Sequence, residues 1–184
     1  MRATLNATNP RQATSKAAAI ADLDAVDRYA APQDQVRFDM AHLYEQARAY
    51  PAAISQYDHW IAARSKDVRL PAALAGRCWD RAVLGQELQK ARADCDAAYR
   101  LNSKSPRALV GRALLRYRSG DWTGAIADYD KALRLDARLP WALYGRGLAK
   151  IRRGDVAAGQ TDIAAAEALR PDISEFGREH DLAP

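Results

Sequence analysis

Apolar and polar positions between residues 106 and 171 follow one pattern that occurs twice. The stretch ALVGRAL, which begins at Ala108, returns as ALYGRGL at Ala142, 34 residues later. The dipeptide Gly-Asp at Gly120 returns at Gly154 with the same spacing. A fixed period of this length that contains two apolar segments indicates a helical repeat in which neighbouring units share one core.

Each unit is predicted to consist of two antiparallel helices, because two apolar stripes with helical spacing are separated by a short turn. The first stripe consists of Leu109, Val110, Ala113, Leu114 and Tyr117. The second consists of Ala125, Ile126, Tyr129, Ala132, Leu133 and Leu135. Between the stripes, Gly120 can leave the first helix with a positive φ, and Asp121 can cap the second helix.

These residues resemble the tetratricopeptide repeat (TPR) family, whose pattern is W-x-x-L-G-x-x-Y, then A-x-x-x-F, then P. In the last unit the pattern falls on Leu143, Arg146, Gly147, Lys150, Gly159, Ile163 and Pro171. In the unit before, it falls on Leu109, Arg112, Ala113, Arg116, Ala125 and Tyr129, with Ala137 at the proline position. The chain departs from the family where Arg replaces its inner leucine and Arg or Lys replaces its tyrosine. The resemblance implies an all-α fold, a right-handed α-solenoid of stacked antiparallel helix pairs.

The pattern divides the chain into an array with an addition at each end. We predict a flexible N-terminal arm over residues 1–13, an N-terminal helix over 14–33, TPR units over 34–67, 71–105, 106–139 and 140–171, and a C-terminal capping helix with a tail over 172–184. The helix over 14–33 is either the second half of a repeat or a general capping helix. A longer connection at 66–71 follows the first unit.

Composition is that of a folded protein and contains few signals for chemistry. The chain has 184 residues, of which 48% are hydrophobic and 28% are charged, and no apolar run reaches the length of a membrane span. A chain that begins at Met1 without a signal peptide is expected in the cytoplasm, whereas a fragment of a longer precursor would be compatible with the periplasm. The three His and two Cys show no metal-ligand spacing, and no phosphate loop or catalytic constellation stands out. We therefore expect no metal, no cofactor and no enzymatic activity.

Cys78 and Cys95 are expected to face the seam between the two helices of one unit. Buried free thiols are the favoured interpretation, because an unpaired Cys behaves as a small hydrophobic residue. The alternative is a disulfide, which would indicate an oxidising compartment.

Basic residues recur in every clear unit, four apart on the first helix, and an aspartate recurs on the second helix. The simplest interpretation is a set of structural ion pairs within the units: Arg77–Asp94, Arg112–Asp128 and Arg146–Asp162. An anion-binding stripe is the rival interpretation. Nucleic acid is the weakest, since the net charge of +5 is spread among interspersed acidic residues.

The resemblance also implies that the first helices line a concave groove that binds a partner. The residues predicted to line it are Phe38, His42, Trp79, Val110, Leu114, Tyr117, Arg118, Trp141, Tyr144, Leu148 and Arg152. Core packing is the alternative for any one of them. In this groove Arg118 and Arg152 would favour acidic flanks of a partner. A clamp for a free C-terminal carboxylate is not indicated, because Phe38 and His42 stand where such family members have Lys and Asn.

The predicted function is therefore non-catalytic binding of a peptide or helix from a partner protein. Two alternatives remain at this point: an accessory TPR segment of a larger enzyme whose catalytic domain lies outside this chain, and a structural module that associates with its own copy. The oligomeric state stays open.

Overall fold

The regular structure consists of α-helices throughout the part of the chain that is described. The computed structural model describes residues 10–183, with side chains from Ser15 onwards. The helices are α1 (Pro10–Asp27), α2 (Val36–Gln46), α3 (Tyr50–Ala63), α4 (Leu70–Leu84), α5 (Leu88–Leu101), α6 (Pro106–Arg118), α7 (Trp122–Leu135), α8 (Pro140–Arg152), α9 (Val156–Leu169) and α10 (Ile173–Glu179). Consecutive helices pack as pairs, α2 with α3, α4 with α5, α6 with α7 and α8 with α9. The fold is an all-α solenoid of antiparallel helix pairs.

The first helix differs from the sequence-based expectation at both ends. Residues 1–9 of the predicted arm lie outside the described residues, but residues 10–13 of it are helical, because α1 already begins at Pro10. A proline is well tolerated in the first turn of a helix, where its missing N–H costs nothing. The helix ends at Asp27, short of the expected residue 33. Pro32 disfavours helical geometry at the residue before it, so the chain enters a turn ahead of α2.

The chain divides into two compact units between Ala63 and Arg64. The first unit contains α1, α2 and α3. Its core packs Met40, Tyr44 and Ala53, with Ile20 and Leu23 of α1 against them.

A buried arginine holds α1 in this first unit. The Arg37 Nη1 atom donates to Asp27 Oδ1 at 2.7 Å and to Gln56 Oε1 at 2.6 Å, and the Nε atom donates to the Ala31 carbonyl at 2.8 Å. Through these bonds, Arg37 on α2 joins Asp27 of α1, Gln56 of α3 and the connection between α1 and α2.

The second unit contains three helix pairs and α10, and its turns follow the predicted chemistry. The glycines that end the first helix of each pair have positive φ, at Gly85, Gly120 and Gly154. The Gly124 N–H donates to Asp121 Oδ1 at 2.9 Å, which confirms the predicted cap of α7. Because neighbouring pairs also touch, through α4 with α6 and α7 with α8, the three pairs share one continuous core.

The two cysteines are joined in a disulfide, so the favoured expectation of free thiols was wrong. Their Cα atoms lie 5.3 Å apart, well within the range that a disulfide spans. Ala91 of α5 is fully buried in one cluster with the two cysteines, and its side chain is too small to hold α4 and α5 apart.

A helix that crosses a membrane must be both long and apolar. Among residues 10–183, no helix is both long enough and apolar enough to cross a bilayer.

Candidate functional site

The recurring arginines and aspartates form ion pairs in each of the three helix pairs of the second unit. Arg77 reaches both oxygens of Asp94, with Nε–Oδ2 at 2.8 Å and Nη2–Oδ1 at 2.6 Å. The corresponding pairs also make two parallel bonds each: Arg112–Asp128 at 2.7 and 2.7 Å, and Arg146–Asp162 at 2.7 and 2.6 Å. Two parallel charge-assisted bonds fix the angle between the helices as well as their distance.

A second basic residue, one turn further along the first helix of each pair, forms an additional ion pair with each aspartate. Arg81 Nη1 lies 2.5 Å from Asp94, Arg116 Nη1 lies 2.9 Å from Asp128, and Lys150 Nζ lies 2.8 Å from Asp162. These donors are directed at carboxylates of the protein itself, which supports the structural interpretation over an anion-binding stripe.

The Asp162 carboxyl shows the electrostatic effect of this arrangement. Burial alone would raise the pKa of Asp162, but hydrogen bonds from Arg146 and Lys150 outweigh it and hold that pKa below its usual range. The carboxylate is thus stabilised in its charged form.

The first helices of the second unit present a common surface, which we call the first-helix face. It consists of Trp79, Tyr117, Arg118, Trp141, Tyr144 and Arg152, which contact one another or the C-terminal residues 173–183. The ring centroids of Trp79 and Trp141 are 5.5 Å apart, so this contact joins α4 to α8. Phe176 of α10 packs edge-on against Trp141, with centroids 4.5 Å apart. The Phe176 ring also stacks on the His180 ring, with centroids 4.1 Å apart.

Three side chains of this face bind the backbone that follows α10. The Tyr144 hydroxyl donates to the Leu182 carbonyl at 2.7 Å, and Arg118 Nη2 donates to the His180 carbonyl at 2.7 Å. Arg152 Nη2 lies 3.4 Å from the Ala183 carbonyl. The face therefore holds residues 173–183 through both aromatic contacts and hydrogen bonds.

Arg118 also binds the end of α4. Its Nε atom donates to the Ala82 carbonyl at 2.5 Å and its Nη2 atom to the Val83 carbonyl at 2.7 Å. Burial lowers the pKa of the Arg118 guanidinium, yet an arginine remains charged at any physiological pH. A fixed positive charge thus lies between the carboxyl ends of α4 and α10, where helix dipoles favour cations.

A cleft of about 330 Å³ lies beside these contacts. Its lining includes Tyr117, Arg118 and Arg152 from the face and Asp181 from the C-terminal segment. Asp181 therefore shares a small space with two arginines.

A family model matches one part of this second unit. Residues 113–154 match the family model described as TPR repeat. This segment of the chain contains a TPR repeat.

Two solved structures resemble the TPR fold of this chain, and both are of MamA. One has a TM-score of 0.60 and 16% identity, with 95% of this chain and 99% of the other covered. The second has a TM-score of 0.60 and 17% identity, with 95% and 91% covered. At such identity the likeness shows the fold alone. None of the curated proteins matches the sequence significantly. The TPR array is a protein-interaction module in general terms, and scaffolds of this family are typically non-catalytic.

The predicted groove residues of this chain fall into two groups. Those of the second unit lie on α4, α6 and α8, but five are buried in the chain as it stands: Val110, Leu114, Tyr117, Tyr144 and Leu148. These five side chains pack within the chain, and the Tyr144 hydroxyl binds the Leu182 carbonyl. Their assignment to a partner-binding groove stays a prediction.

Phe38 and His42 belong to the first unit and pack within it. The Phe38 ring lies 5.2 Å from the Trp60 ring and 4.8 Å from the His42 ring. The His42 Nδ1 atom lies 3.3 Å from Glu45 Oε2. For Phe38, which is buried, core packing is the better description.

Sequence reasoning missed the residues that fill the face. A terminal helix containing Ile173 and Phe176 was expected, but not its contact with Trp141 or the return of Leu182 to Tyr144. The sequence signal for these contacts was that Ile173, Phe176 and Leu182 are large apolar residues in a mostly polar tail. Within residues 15–183, no group of His, Cys, Asp and Glu side chains is arranged to hold a metal ion.

Proposed function

We propose that this chain uses the first-helix face to bind a helical segment of a partner protein. The observation that carries this proposal is that the face already accommodates a short helix, α10, whose Phe176 is 1% exposed. A surface that orders seven residues of its own chain has the shape and the donors for a helix of similar chemistry.

Aromatic side chains would provide most of the affinity. Trp79 and Trp141 are only partly buried, so a partner can still cover them. Large rings that become fully desolvated in the centre of an interface are the usual hot spots, each contributing about 2 kcal/mol or more. The three helix pairs form a continuous scaffold, so the main loss of conformational freedom on binding would be that of the partner.

Charge at the rim would favour an acidic partner. Arg152 is exposed at the end of α8, and the neighbouring Arg153 is exposed as well. Exposed charges of one sign raise the association rate of an oppositely charged ligand and add little to the final affinity. Acidic residues next to the bound helix are therefore expected to speed association in low salt.

The test is partner capture with the full chain, followed by measurement of affinity for each captured protein. Trp79→Ala and Trp141→Ala should each weaken binding at least tenfold. Leu135→Ala removes an exposed side chain of α7, 47% exposed, and is the matched control. Circular dichroism must show that the tryptophan variants remain helical. If folded Trp79→Ala and Trp141→Ala proteins bind the same partners with unchanged affinity, the face is not the binding site.

A further inference from the structure

The C-terminal residues 173–183 form one compact unit, a short helix with a left-handed cap. The Leu182 N–H donates to the Gly177 carbonyl at 2.7 Å, and Asp181 has φ 54°. This is the bond pattern of a Schellman cap, in which the residue at positive φ lets the chain fold back over the helix end. Its apolar side chains are buried, with Ile173 at 0%, Phe176 at 1% and Leu182 at 3% exposure.

The first-helix face binds residues 173–183 through backbone carbonyls at and after the carboxyl end of α10. The last carbonyls of any helix lack intrahelical donors and carry partial negative charge. Here the His180 carbonyl accepts from Arg118 and the Leu182 carbonyl accepts from Tyr144, each at 2.7 Å. Because these contacts are to backbone atoms, a different chain with the same cap could satisfy them equally well.

The close approach of α10 to α8 restricts which residue can follow Phe176. A Cβ on Gly177 would collide with the Tyr144 hydroxyl and would lie 2.6 Å from the Leu182 carbonyl oxygen. Only a glycine allows the helix to lie this close to α8. The features that the face selects are thus an aromatic residue, a glycine directly after it, and a leucine five residues beyond the glycine.

The helix is held by the face rather than by its own stability. A helix of seven residues is far too short to be stable alone in water. Only Arg170, Pro171 and Asp172 separate it from α9. Such a short link keeps the segment near its site at an effective concentration on the order of millimolar.

We propose that residues 173–183 are an intramolecular competitor for the partner, and that the partner contributes a short capped helix with the same pattern: an aromatic residue, then glycine, then leucine five residues later. This rests on the proposed function of the first-helix face. The partner binds when its helix replaces α10. Only a partner whose affinity for the face is high enough to displace the tethered residues 173–183 therefore binds.

The probe is a fluorescent peptide with the sequence of residues 171–183 and an amidated end, titrated into the full-length protein while anisotropy is measured. Wild-type protein should bind it weakly, near millimolar, because the tethered copy competes. Phe176→Ala in the protein weakens that competitor, and the peptide should bind at least tenfold more tightly. Glu175→Ala changes an exposed residue of the same helix and should behave as wild type.

A second measurement covers the case in which Phe176→Ala unfolds the end of the array. Hydrogen exchange of wild-type protein in excess peptide should show faster exchange at residues 173–183, whereas a peptide with alanine at the Phe176 position should have no effect. Equal peptide affinity for folded wild type and Phe176→Ala, or unchanged exchange in saturating peptide, would overturn the proposal. A dimer of Phe176→Ala that forms by exchange of α10, detected by sedimentation, would also overturn it in favour of a second copy as occupant.

The two proposals fail separately. If the peptide does not compete while Trp79→Ala still abolishes partner capture, the face binds partners in some other way and only the competitor model falls. If neither has an effect, the proposed function falls as well.

Discussion

Gly147 of α8 and Gly159 of α9 face each other where the last helix pair is closest. A Cβ on Gly147 would lie 2.7 Å from the Gly159 carbonyl oxygen, and a Cβ on Gly159 would lie 2.6 Å from the Gly147 carbonyl oxygen. Neither approach is tolerated between real atoms. The closeness of the two helices therefore depends on both side chains being absent, at positions where the TPR pattern has small residues.

Gly159→Ala is expected to destabilise the protein by about 1–3 kcal/mol, because the added methyl overpacks the seam. The sign is informative, since alanine normally stabilises a helix by about 1 kcal/mol relative to glycine. Ala164→Gly on the exposed side of α9 is the matched control and should cost about that amount. Urea unfolding measures both variants. A stabilising Gly159→Ala would show that the backbones are not in contact there.

The Asp162 carboxylate is expected to stabilise the fold in a pH-dependent way. Its folded pKa is depressed below the unfolded value of about 3.9, because bonds from Arg146 and Lys150 outweigh burial. The stabilisation is thus fully present above the unfolded pKa and is lost as pH falls through the folded pKa. Asp162→Asn should lower the free energy of unfolding by about 1.5–3 kcal/mol at pH 7.

The difference between wild type and Asp162→Asn should be constant from pH 7 to about pH 5 and shrink below pH 4. Urea unfolding at several pH values measures it. Asp155→Asn removes an exposed carboxylate at the start of α9 and serves as control, with an expected effect below about 0.5 kcal/mol. If the difference in unfolding free energy between wild type and Asp162→Asn increased as the pH fell, Asp162 would not be held in its charged form.

The repeat structure was readable from the sequence because its determinants are local and periodic. Gly120 and Asp121 specify a turn and a cap by their own conformational preferences, and apolar spacing specifies each helix. The start of α1 was placed too late because a proline compatible with a first turn was read as part of a flexible arm.

The filled face could not be read in the same way. The return of Leu182 to Tyr144 depends on Asp181 adopting positive φ, and an aspartate does so only occasionally. The disulfide depends on how closely α4 and α5 approach, a distance that spacing along the chain does not fix. Both features are products of tertiary packing.

The disulfide predicts a definite thiol count. Protein purified without reductant and denatured should show no thiol reactive with Ellman's reagent, and two after reduction. Because the bond closes a loop with a sequence separation of 17, reduction should lower the free energy of unfolding by about 2–4 kcal/mol. The Cys78→Ala/Cys95→Ala double variant should be insensitive to reductant. Two reactive thiols in the untreated protein would contradict the bond.

Arg118→Lys tests whether one planar guanidinium joins α4 to the C-terminal segment. The arginine donates to the carbonyls of Ala82, Val83 and His180 at once. A lysine keeps the charge but concentrates its donors on a single atom, so it cannot reproduce this geometry. The expected loss is about 1–3 kcal/mol of unfolding free energy, with faster amide exchange at residues 176–183. Arg153→Lys, an exposed site one residue after α8, should change stability by less than about 0.5 kcal/mol. If Arg118→Lys unfolds in urea like wild type and its C-terminal amides exchange no faster, Arg118 does not hold that segment and the observed carbonyl bonds contribute nothing measurable.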